Sequence, residues 1–240
     1  MFINYAHRGA SAHAPENTMR AFRLGVALGA NGIETDIRRT KDGVLVLFHD
    51  ESLLRLTGDY RRIADLTREE LAAVRIASPD GAEADVVPTL AEFLAFVKAL
   101  PVALALELKA EGIEEAVETA VKESGVGGRC VVTSFELEYL RRVKELNPAR
   151  RVGLLTRSVD DGVIAALKAL GAEQICPKAE LLTPELVRSL HQEGFSVRAW
   201  GVRDEALMEK AFRCGVDGMT VNFPDKLKAL LDGERHNDNE

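Results

Sequence analysis

The sequence predicts an α/β protein, a single (β/α)8 TIM barrel with a small β-hairpin insertion after its second strand. Short β-rich runs alternate with helical patterns, which indicates parallel strands joined by crossover helices. The strand–helix units recur at roughly 20–25 residues. No break in composition marks a second domain among the 240 residues. A closed barrel is therefore favoured over a doubly wound sheet.

Nine runs are strand candidates, one more than an eight-stranded barrel holds. They are 2–6, 32–37, 44–49, 102–108, 130–135, 151–156, 173–177, 196–200 and 218–221. The surplus is explained by Asp42-Gly43, because this dipeptide between two β-rich runs is a strong hairpin signal. With that turn Asp36 faces His49, and a turn one residue earlier puts His49 opposite Glu34. Both registers have the same parity, so these three side chains are expected to share one face.

The helical patterns fill the intervals between most strands. They cover 17–29, 89–99, 112–124, 136–146, 159–169, 183–193 and 204–213. The run AEFLAFVKAL repeats apolar residues at helical spacing, which predicts one buried stripe. Residues 1–232 are assigned to the barrel. Residues 233–240 are polar and lack periodicity, so a flexible tail is expected there.

Composition narrows the class of partner. The net charge of −7 disfavours non-specific binding to nucleic acid and stable association with an anionic membrane. An anionic small molecule would need local cations or a metal. The three cysteines, Cys130, Cys176 and Cys214, are widely spaced and show no metal-ligand pattern. Buried thiols in a reducing compartment are expected, and with no secretory leader pattern the predicted location is cytoplasmic.

Carboxylates stand at the ends of two predicted strands. Glu34 and Asp36 alternate across one residue and point the same way, so their charges repel unless a cation lies between them. Mg²⁺ and Ca²⁺ prefer such oxygen ligands, although a solvated strand face is the alternative. Glu107 ends a deeply apolar strand and completes a three-carboxylate site. Lys109 shares its face and is left for substrate charge, unless the two form a plain ion pair.

Two histidines flank this predicted cluster. His7 and His49 are suited to general acid–base catalysis near neutral pH. Arg8 can clamp a phosphate or carboxylate with two hydrogen bonds, and a salt bridge to Glu34 or Glu107 is the alternative. Strand carboxyl ends are where barrel enzymes place their chemistry.

Two further segments bear on the site. The segment Pro15-Glu16-Asn17-Thr18 predicts a helix start capped by Asn17 or Thr18. Glu16 or Asn17 is also a candidate for orienting a catalytic histidine. Phe135 and Trp200 each end a strand, where an aromatic ring either walls an apolar or glycerol-like pocket or fills the barrel top.

Six segments taken together resemble the glycerophosphodiester phosphodiesterase family. In order they are AHRGASAHAPENT, GIETDIRRTKDGVLVLFHDESLLRLTG, ELK, TSF, RAW and GVDGMTVNFPD, spanning residues 5 to about 226. The resemblance implies a TIM barrel that cleaves glycerophosphodiesters to sn-glycerol 3-phosphate and an alcohol. One departure is Trp200-Gly201-Val202-Arg203, where many members read Trp-Thr-Val-Asn.

The resemblance also assigns roles to residues. Its carboxylate positions match Glu34, Asp36 and Glu107, which would hold one divalent cation, Mg²⁺ or Ca²⁺ with Mn²⁺ as a further candidate. Its paired histidines match His7 and His49, and its phosphate-contacting positions match Arg8 and Lys109. The attacking group is either water or the neighbouring glycerol hydroxyl, which would form a cyclic phosphodiester.

Three other functions fit the sequence less well. A lysophospholipase D or phospholipase C type enzyme needs an exposed apolar ridge, for which only Leu53, Leu54 and Leu56 are available. A non-enzymatic barrel that binds a metal or polyol predicts a lost histidine or a broken carboxylate set. A barrel acting on a sugar phosphate lacks the expected glycine-rich loop after the seventh or eighth strand.

Overall fold

The computed structural model describes residues 2–78, 81 and 83–237, and within them nine strands and ten α-helices are found. The strands are β1 Ile3–His7, β2 Gly32–Arg39, β3 Leu45–Leu47, β4 Ala103–Leu108, β5 Cys130–Ser134, β6 Arg151–Thr156, β7 Gln174–Pro177, β8 Ser196–Val202 and β9 Gly218–Val221. The helices are α1 Met19–Ala27, α2 Leu54–Thr57, α3 Arg68–Ala72, α4 Leu90–Val97, α5 Glu114–Ser124, α6 Leu137–Leu146, α7 Asp161–Leu170, α8 Pro184–Gln192, α9 Glu205–Arg213 and α10 Pro224–Asn237.

Eight of these strands close into a parallel barrel. Around the ring the order is β1, β9, β8, β7, β6, β5, β4 and β2, and β1 pairs with both β9 and β2. Closure excludes a doubly wound sheet, whose outer strands stay unpaired. The predicted TIM barrel with one additional strand is confirmed, and the carboxyl ends of its strands meet at one mouth.

The helices pack their apolar stripes against the outside of this ring. Helix α4, for example, buries Leu90, Phe93, Leu94 and Val97, as its periodicity predicts. Thr89 caps this helix by accepting a hydrogen bond from the backbone N–H of Glu92, whose side chain bonds back to Thr89. The barrel strands are thereby buried on both faces and hold the residues at the mouth on a rigid frame.

The hairpin forms, but its predicted register is wrong by one residue. Ile37 pairs with Leu47, so Asp36 comes opposite Phe48 and not His49. The turn contains three residues, because the backbone N–H of Thr40 bonds to Val44 O at 2.9 Å. The hydroxyl of Thr40 stabilises this longer loop by accepting from Val44 N at 2.9 Å.

A small second core lies beneath the hairpin. Val46, Phe48, Leu53, Ile63 and Leu71 are buried together in it, apart from the main core. The strand β3 ends at Leu47, and the chain then bends over this core. That bend, and not the strand register, carries His49 to the barrel mouth.

The carboxyl-terminal helix is longer than the sequence predicts. Helix α10 extends to Asn237, so residues 233–237 are helical where a flexible tail was expected. An existing helix gains one hydrogen bond for each added residue without a new nucleation cost, so periodicity is not needed for its last turn. Residues 238–240 of the expected tail lie outside the described residues.

Two predictions concern compartment. Cys130, Cys176 and Cys214 are buried free thiols, as predicted. In the part of the chain that the structure describes, no helix has the length and apolar character needed to cross a membrane.

Candidate active site

Three buried carboxylates form the centre of the barrel mouth. Strands β2 and β4 are paired so that Asp36 lies beside Glu107, and Glu34 precedes Asp36 on the same face. The three residues are 3%, 0% and 6% exposed for Glu34, Asp36 and Glu107. One oxygen of each lies within 4.8 Å of one oxygen of the others. The sequence prediction that these acids converge is confirmed.

The charge of this cluster is only partly compensated. Burial, together with the charge of Asp36, raises the pKa of Glu34 to about 8 and that of Glu107 to about 7. Burial also opposes ionisation of Asp36, but Arg8 and Lys109 outweigh it and hold the pKa of this carboxyl well below its usual range. The cluster therefore carries a strained arrangement of like charges that an added cation would relieve.

The donor set fits a hard divalent cation. Asp36 Oδ1 and Glu107 Oε1 are buried and both face the ammonium of Lys109. The ammonium of Lys109 contacts Glu107 and lies 3.4 Å from Asp36 Oδ1, so it supplies one positive charge to three acids. Carboxylate oxygens are the ligands that Mg²⁺ and Ca²⁺ take in proteins. Glu34, Asp36 and Glu107 could thus hold such an ion.

Arg8 is held by a strained loop that follows β1. Its φ is +56°, in the left-handed region, and Gly9 follows at +83°. The backbone N–H of Arg8 donates to Glu34 Oε2 at 3.2 Å. Its guanidinium lies 2.9 Å from Glu16 Oε1 and 3.0 Å from Asp36 Oδ2. The alternative pairing with Glu34 or Glu107 through the guanidinium is not what the structure has.

This loop makes Gly9 intolerant of any side chain. A Cβ atom there would lie 2.4 Å from the carbonyl carbon of Ala21. We expect Gly9→Ala to lower the free energy of unfolding by at least about 2 kcal/mol, measured by urea denaturation. In the matched variant Gly128→Ala the added methyl meets no atom within 4 Å, and a change within about 0.5 kcal/mol is expected. Equal stability of the two variants would contradict the close packing of this loop.

His7 ends β1 and points into the mouth. Its Nδ1 lies 2.6 Å from Asn222 Oδ1, and its Nε2 lies 3.9 Å from Glu34. Because an amide oxygen only accepts, Nδ1 carries the proton and Nε2 is left with its lone pair. Burial and the charge of Arg8 lower the pKa of His7 to about 4. Sequence reasoning missed Asn222, which is 215 positions away along the chain.

His49 faces the same space from the bend after β3. Its Nδ1 donates to Asp50 Oδ1 at 2.6 Å, which again leaves Nε2 without a protein partner among the described residues. Asp50 accepts from Arg55 Nε at 2.6 Å, and Arg55 also donates to Glu16. Burial lowers the pKa of the His49 imidazole, although the hydrogen bond to Asp50 opposes this. Glu16 therefore holds Arg8 directly and is linked to His49 through Arg55 and Asp50.

The helix start at Pro15–Thr18 and capping by Thr18 are confirmed, but Glu16 and Asn17 act differently from the prediction. Thr18 caps α1 by accepting from Ala21 N at 3.1 Å. Asn17 donates to Asp36 Oδ2 at 2.9 Å. Glu16 bonds to Arg8 and Arg55. Neither Glu16 nor Asn17 contacts a histidine, because α1 starts beneath the carboxylates and places both beside charged groups.

A cavity of about 380 Å³ opens at this mouth. The sequence-predicted residues that line it are His7, Arg8, Glu34, His49, Glu107, Lys109, Phe135 and Trp200. Asp36, fully buried, lies beneath them. Phe135 and Trp200 meet edge to face with ring centroids 5.0 Å apart. All nine predicted site residues are therefore brought together at one end of the barrel.

The cavity floor contains a residue that the sequence reasoning missed. Arg198 is 1% exposed, and its guanidinium donates to Thr220 Oγ1 at 3.1 Å and lies 5.1 Å from the Tyr5 ring centroid. It shares the inward face of β8 with Trp200, two residues on. The two-residue spacing from Trp200 was the signal that could have found Arg198. A charged side chain on an inward strand face is rarely buried without a polar or ionic partner.

The wall beside Trp200 is shaped by a β-bulge. The pairing of β8 with β9 shifts between Ala199 and Val202. Gly201 lies in this interval with φ at +71°, a conformation that a threonine would adopt only with strain. Gly201, where the sequence departs from the family pattern, therefore lies in a left-handed backbone conformation at the cavity edge.

Fold and site together define a TIM barrel whose mouth combines three carboxylates that could hold a metal ion with two histidines and the cationic side chains of Arg8 and Lys109. The model of the glycerophosphoryl diester phosphodiesterase family matches residues 7–226. The chain therefore belongs to that family.

Individual relatives agree with this assignment. A glycerophosphodiester phosphodiesterase of Caldanaerobacter subterraneus is 34% identical, over 94% of this chain and 96% of the relative. Another, of Bacillus altitudinis, is 34% identical over 92% of this chain and 95% of the relative. The structure of an Oleispira antarctica phosphodiesterase in complex with the product sn-glycerol-3-phosphate is 26% identical with a TM-score of 0.86, covering 95% of this chain and 96% of that one.

Proposed function

We propose that this protein hydrolyses glycerophosphodiesters to sn-glycerol 3-phosphate and an alcohol. Glu34, Asp36 and Glu107 hold a divalent cation in this proposal, and His7 and His49 transfer the protons. The single observation that carries it is the convergence of both histidines, Glu34 and Glu107 on one cavity, with Asp36 in the same carboxylate cluster beneath it. Glycerophosphodiesters are also what the names of the relatives specify.

The charges at the mouth suit an anionic substrate. When Glu34, Asp36 and Glu107 are ionised, Arg8 and Lys109 beside them and Arg198 on the floor offset their charge only in part, because Arg8 also pairs with Glu16. A divalent cation held by Glu34, Asp36 and Glu107 would supply positive charge against the charge that develops on a phosphoryl oxygen. Arg8 and Lys109 line the same cavity and would add their N–H donors and positive charge to the phosphoryl oxygens.

The two histidines differ in what orients them, and this supports different roles. Asp50 stabilises a protonated His49, so His49 is the proton donor to the departing alkoxide. Asn222 is neutral and leaves His7 Nε2 as a base. The 2-hydroxyl of glycerol loses its proton to His7 and attacks phosphorus as the bond to the alcohol breaks. Water then opens the cyclic phosphodiester, with the proton transfers reversed.

The longer-chain lipid substrate is less well supported. Of the three leucines available for an apolar ridge, Leu53 is fully buried in the second core and Leu56 is partly buried against it. Leu54 alone is exposed, at 43%. One leucine gives too small an apolar patch to hold an acyl chain against water.

We also infer a cytoplasmic location. Its support is that Cys130, Cys176 and Cys214 are free thiols, which is typical of proteins in a reducing compartment.

The proposed function is tested by release of sn-glycerol 3-phosphate. Protein stripped of metal is re-supplied separately with Mg²⁺, Mn²⁺ and Ca²⁺ and given glycerophosphocholine, glycerophosphoethanolamine or lysophosphatidylcholine. We expect metal-dependent release from at least one of the two glycerophosphodiesters and far slower turnover of the lysolipid. Turnover of the lysolipid alone would replace the proposal with its alternative.

A further inference from the structure

One arginine at the cavity rim has no role in the mechanism above. Arg157 follows the last residue of β6, lines the cavity and is exposed to solvent. Its guanidinium carbon lies 4.4 Å from the Phe135 ring centroid and 5.7 Å from that of Trp200. The arginine therefore occupies the corner formed by the two aromatic walls.

Arg157 differs from its charged neighbours in lacking a carboxylate partner. Arg55 is held by Glu16, and Arg203, which follows β8, contacts Glu180. Within residues 2–78, 81 and 83–237 no ion pair involves Arg157, although Glu136 and Asp160 line the adjoining groove. A full positive charge at the rim is thus left for another molecule.

The position of the guanidinium over the Phe135 ring limits how this charge can be used. A guanidinium that packs against aromatic rings keeps its N–H edge free, and that edge matches a carboxylate or phosphate with two parallel hydrogen bonds. The same aromatic corner would otherwise suit a quaternary ammonium group. With Arg157 in place, such a cation meets a like charge.

We propose that Arg157 selects glycerophosphodiesters whose leaving alcohol carries an additional acidic group, and that it disfavours choline. This inference rests on the proposed function. The glycerol half of any such substrate bears only hydroxyl groups, and in the proposed function Arg8 and Lys109 take the phosphate, so the acidic partner assigned to Arg157 belongs to the alcohol. Arg157 is a specificity-determining residue in this account, distinct from the phosphate-contacting Arg8 and Lys109.

Two substrates isolate the acidic group, because glycerophosphoserine differs from glycerophosphoethanolamine by one carboxylate. We expect the wild-type protein to have about tenfold higher kcat/KM for the serine compound. In Arg157→Gln the serine-to-ethanolamine ratio of kcat/KM is expected to fall about tenfold, while the relative rate on glycerophosphocholine rises. Arg157→Lys, which keeps the charge but not the planar edge, should lie between the two.

A control and two contrary outcomes complete the test. Arg188→Gln removes an exposed arginine on α8 that pairs with Glu185, and it should leave the ratio at the wild-type value. A wild-type ratio near one that Arg157→Gln does not change would overturn this inference and leave the proposed function intact. No turnover of serine, ethanolamine or choline substrate with any metal would overturn the proposed function, and this inference with it.

Discussion

Replacing His49 by alanine is expected to lower kcat by about 10²–10⁴-fold, the range that a positioned acid or base contributes. In the part of the chain that the structure describes, the imidazole is anchored by one hydrogen bond, from Nδ1 to Asp50 at 2.6 Å. Its Nε2 has no protein partner among the described residues, so it is left to give a proton to the leaving alkoxide. The measurement is kcat with metal and substrate both saturating, alongside a thermal melt of each variant.

Two further variants separate catalysis from folding. Asp50→Asn keeps the imidazole but removes the carboxylate that stabilises its charged form, and a loss of about 10–100-fold is expected. His191→Ala removes a histidine that is also held by an aspartate, Asp217 at 2.9 Å, but lies on α8 outside the mouth. It should retain wild-type kcat. A His49→Ala protein that is folded and still turns over within about threefold of wild type would contradict the assigned role.

Divalent cation is expected to stabilise the protein as well as activate it. A ligand that binds only the folded state at 100 times its Kd adds about 2.7 kcal/mol to the free energy of unfolding. For a chain of 240 residues this corresponds to a rise in Tm of roughly 5–10 °C. The physical reason is that the ion relieves repulsion among three buried carboxylates, two of which have raised pKa values without it.

The stabilisation by a divalent cation should disappear when one of the carboxylates that bind it is removed. In Glu107→Gln one negative charge and one ligand oxygen are lost, so the rise in Tm on adding Mg²⁺ or Ca²⁺ is expected to fall below about 2 °C. Glu115→Gln removes an exposed acid on α5 and should keep the full rise. An equal rise in both variants would place the bound ion elsewhere on the protein.

The convergence of the site could be predicted because barrel geometry does most of the positioning. Residues that alternate along a strand share a face, and parallel strands end at a common mouth, so Glu34, Asp36 and Glu107 were predicted to lie together. The apolar run before Glu107 indicated that this acid is buried. Local patterns are sufficient for such inferences because the regular backbone carries the geometry.

The hairpin register depended on the Thr40 side chain, which the turn signal Asp42-Gly43 does not take into account. Asp42-Gly43 located the turn, but the hydroxyl of Thr40 bonds to Val44 and lengthens the loop to three residues. The parity argument for His49 was therefore wrong, although His49 does reach the cavity. It does so through the bend that the second core imposes after Leu47.

Partners that orient the catalytic groups were beyond the reach of the sequence. Asn222 meets His7, and Asn17 meets Asp36, only because the closed barrel brings their strands and loops together. Neither asparagine has a spacing that points to its partner. Arg198 was missed because Trp200, two residues on, already accounted for the end of that strand. Arg157 was missed because it meets Phe135 only in the folded barrel, where the two residues follow neighbouring strands.

The central claim is that a cation and both histidines act on one phosphate in this cavity. The most direct test is a diffraction experiment on crystals grown with Mn²⁺ and sn-glycerol 3-phosphate, with anomalous scattering used to locate the metal. We expect one Mn²⁺ peak among Glu34, Asp36 and Glu107, and the phosphate within hydrogen-bond distance of the Nε2 atoms of His7 and His49. A metal peak away from the three carboxylates, or a phosphate that contacts neither histidine, would contradict the account.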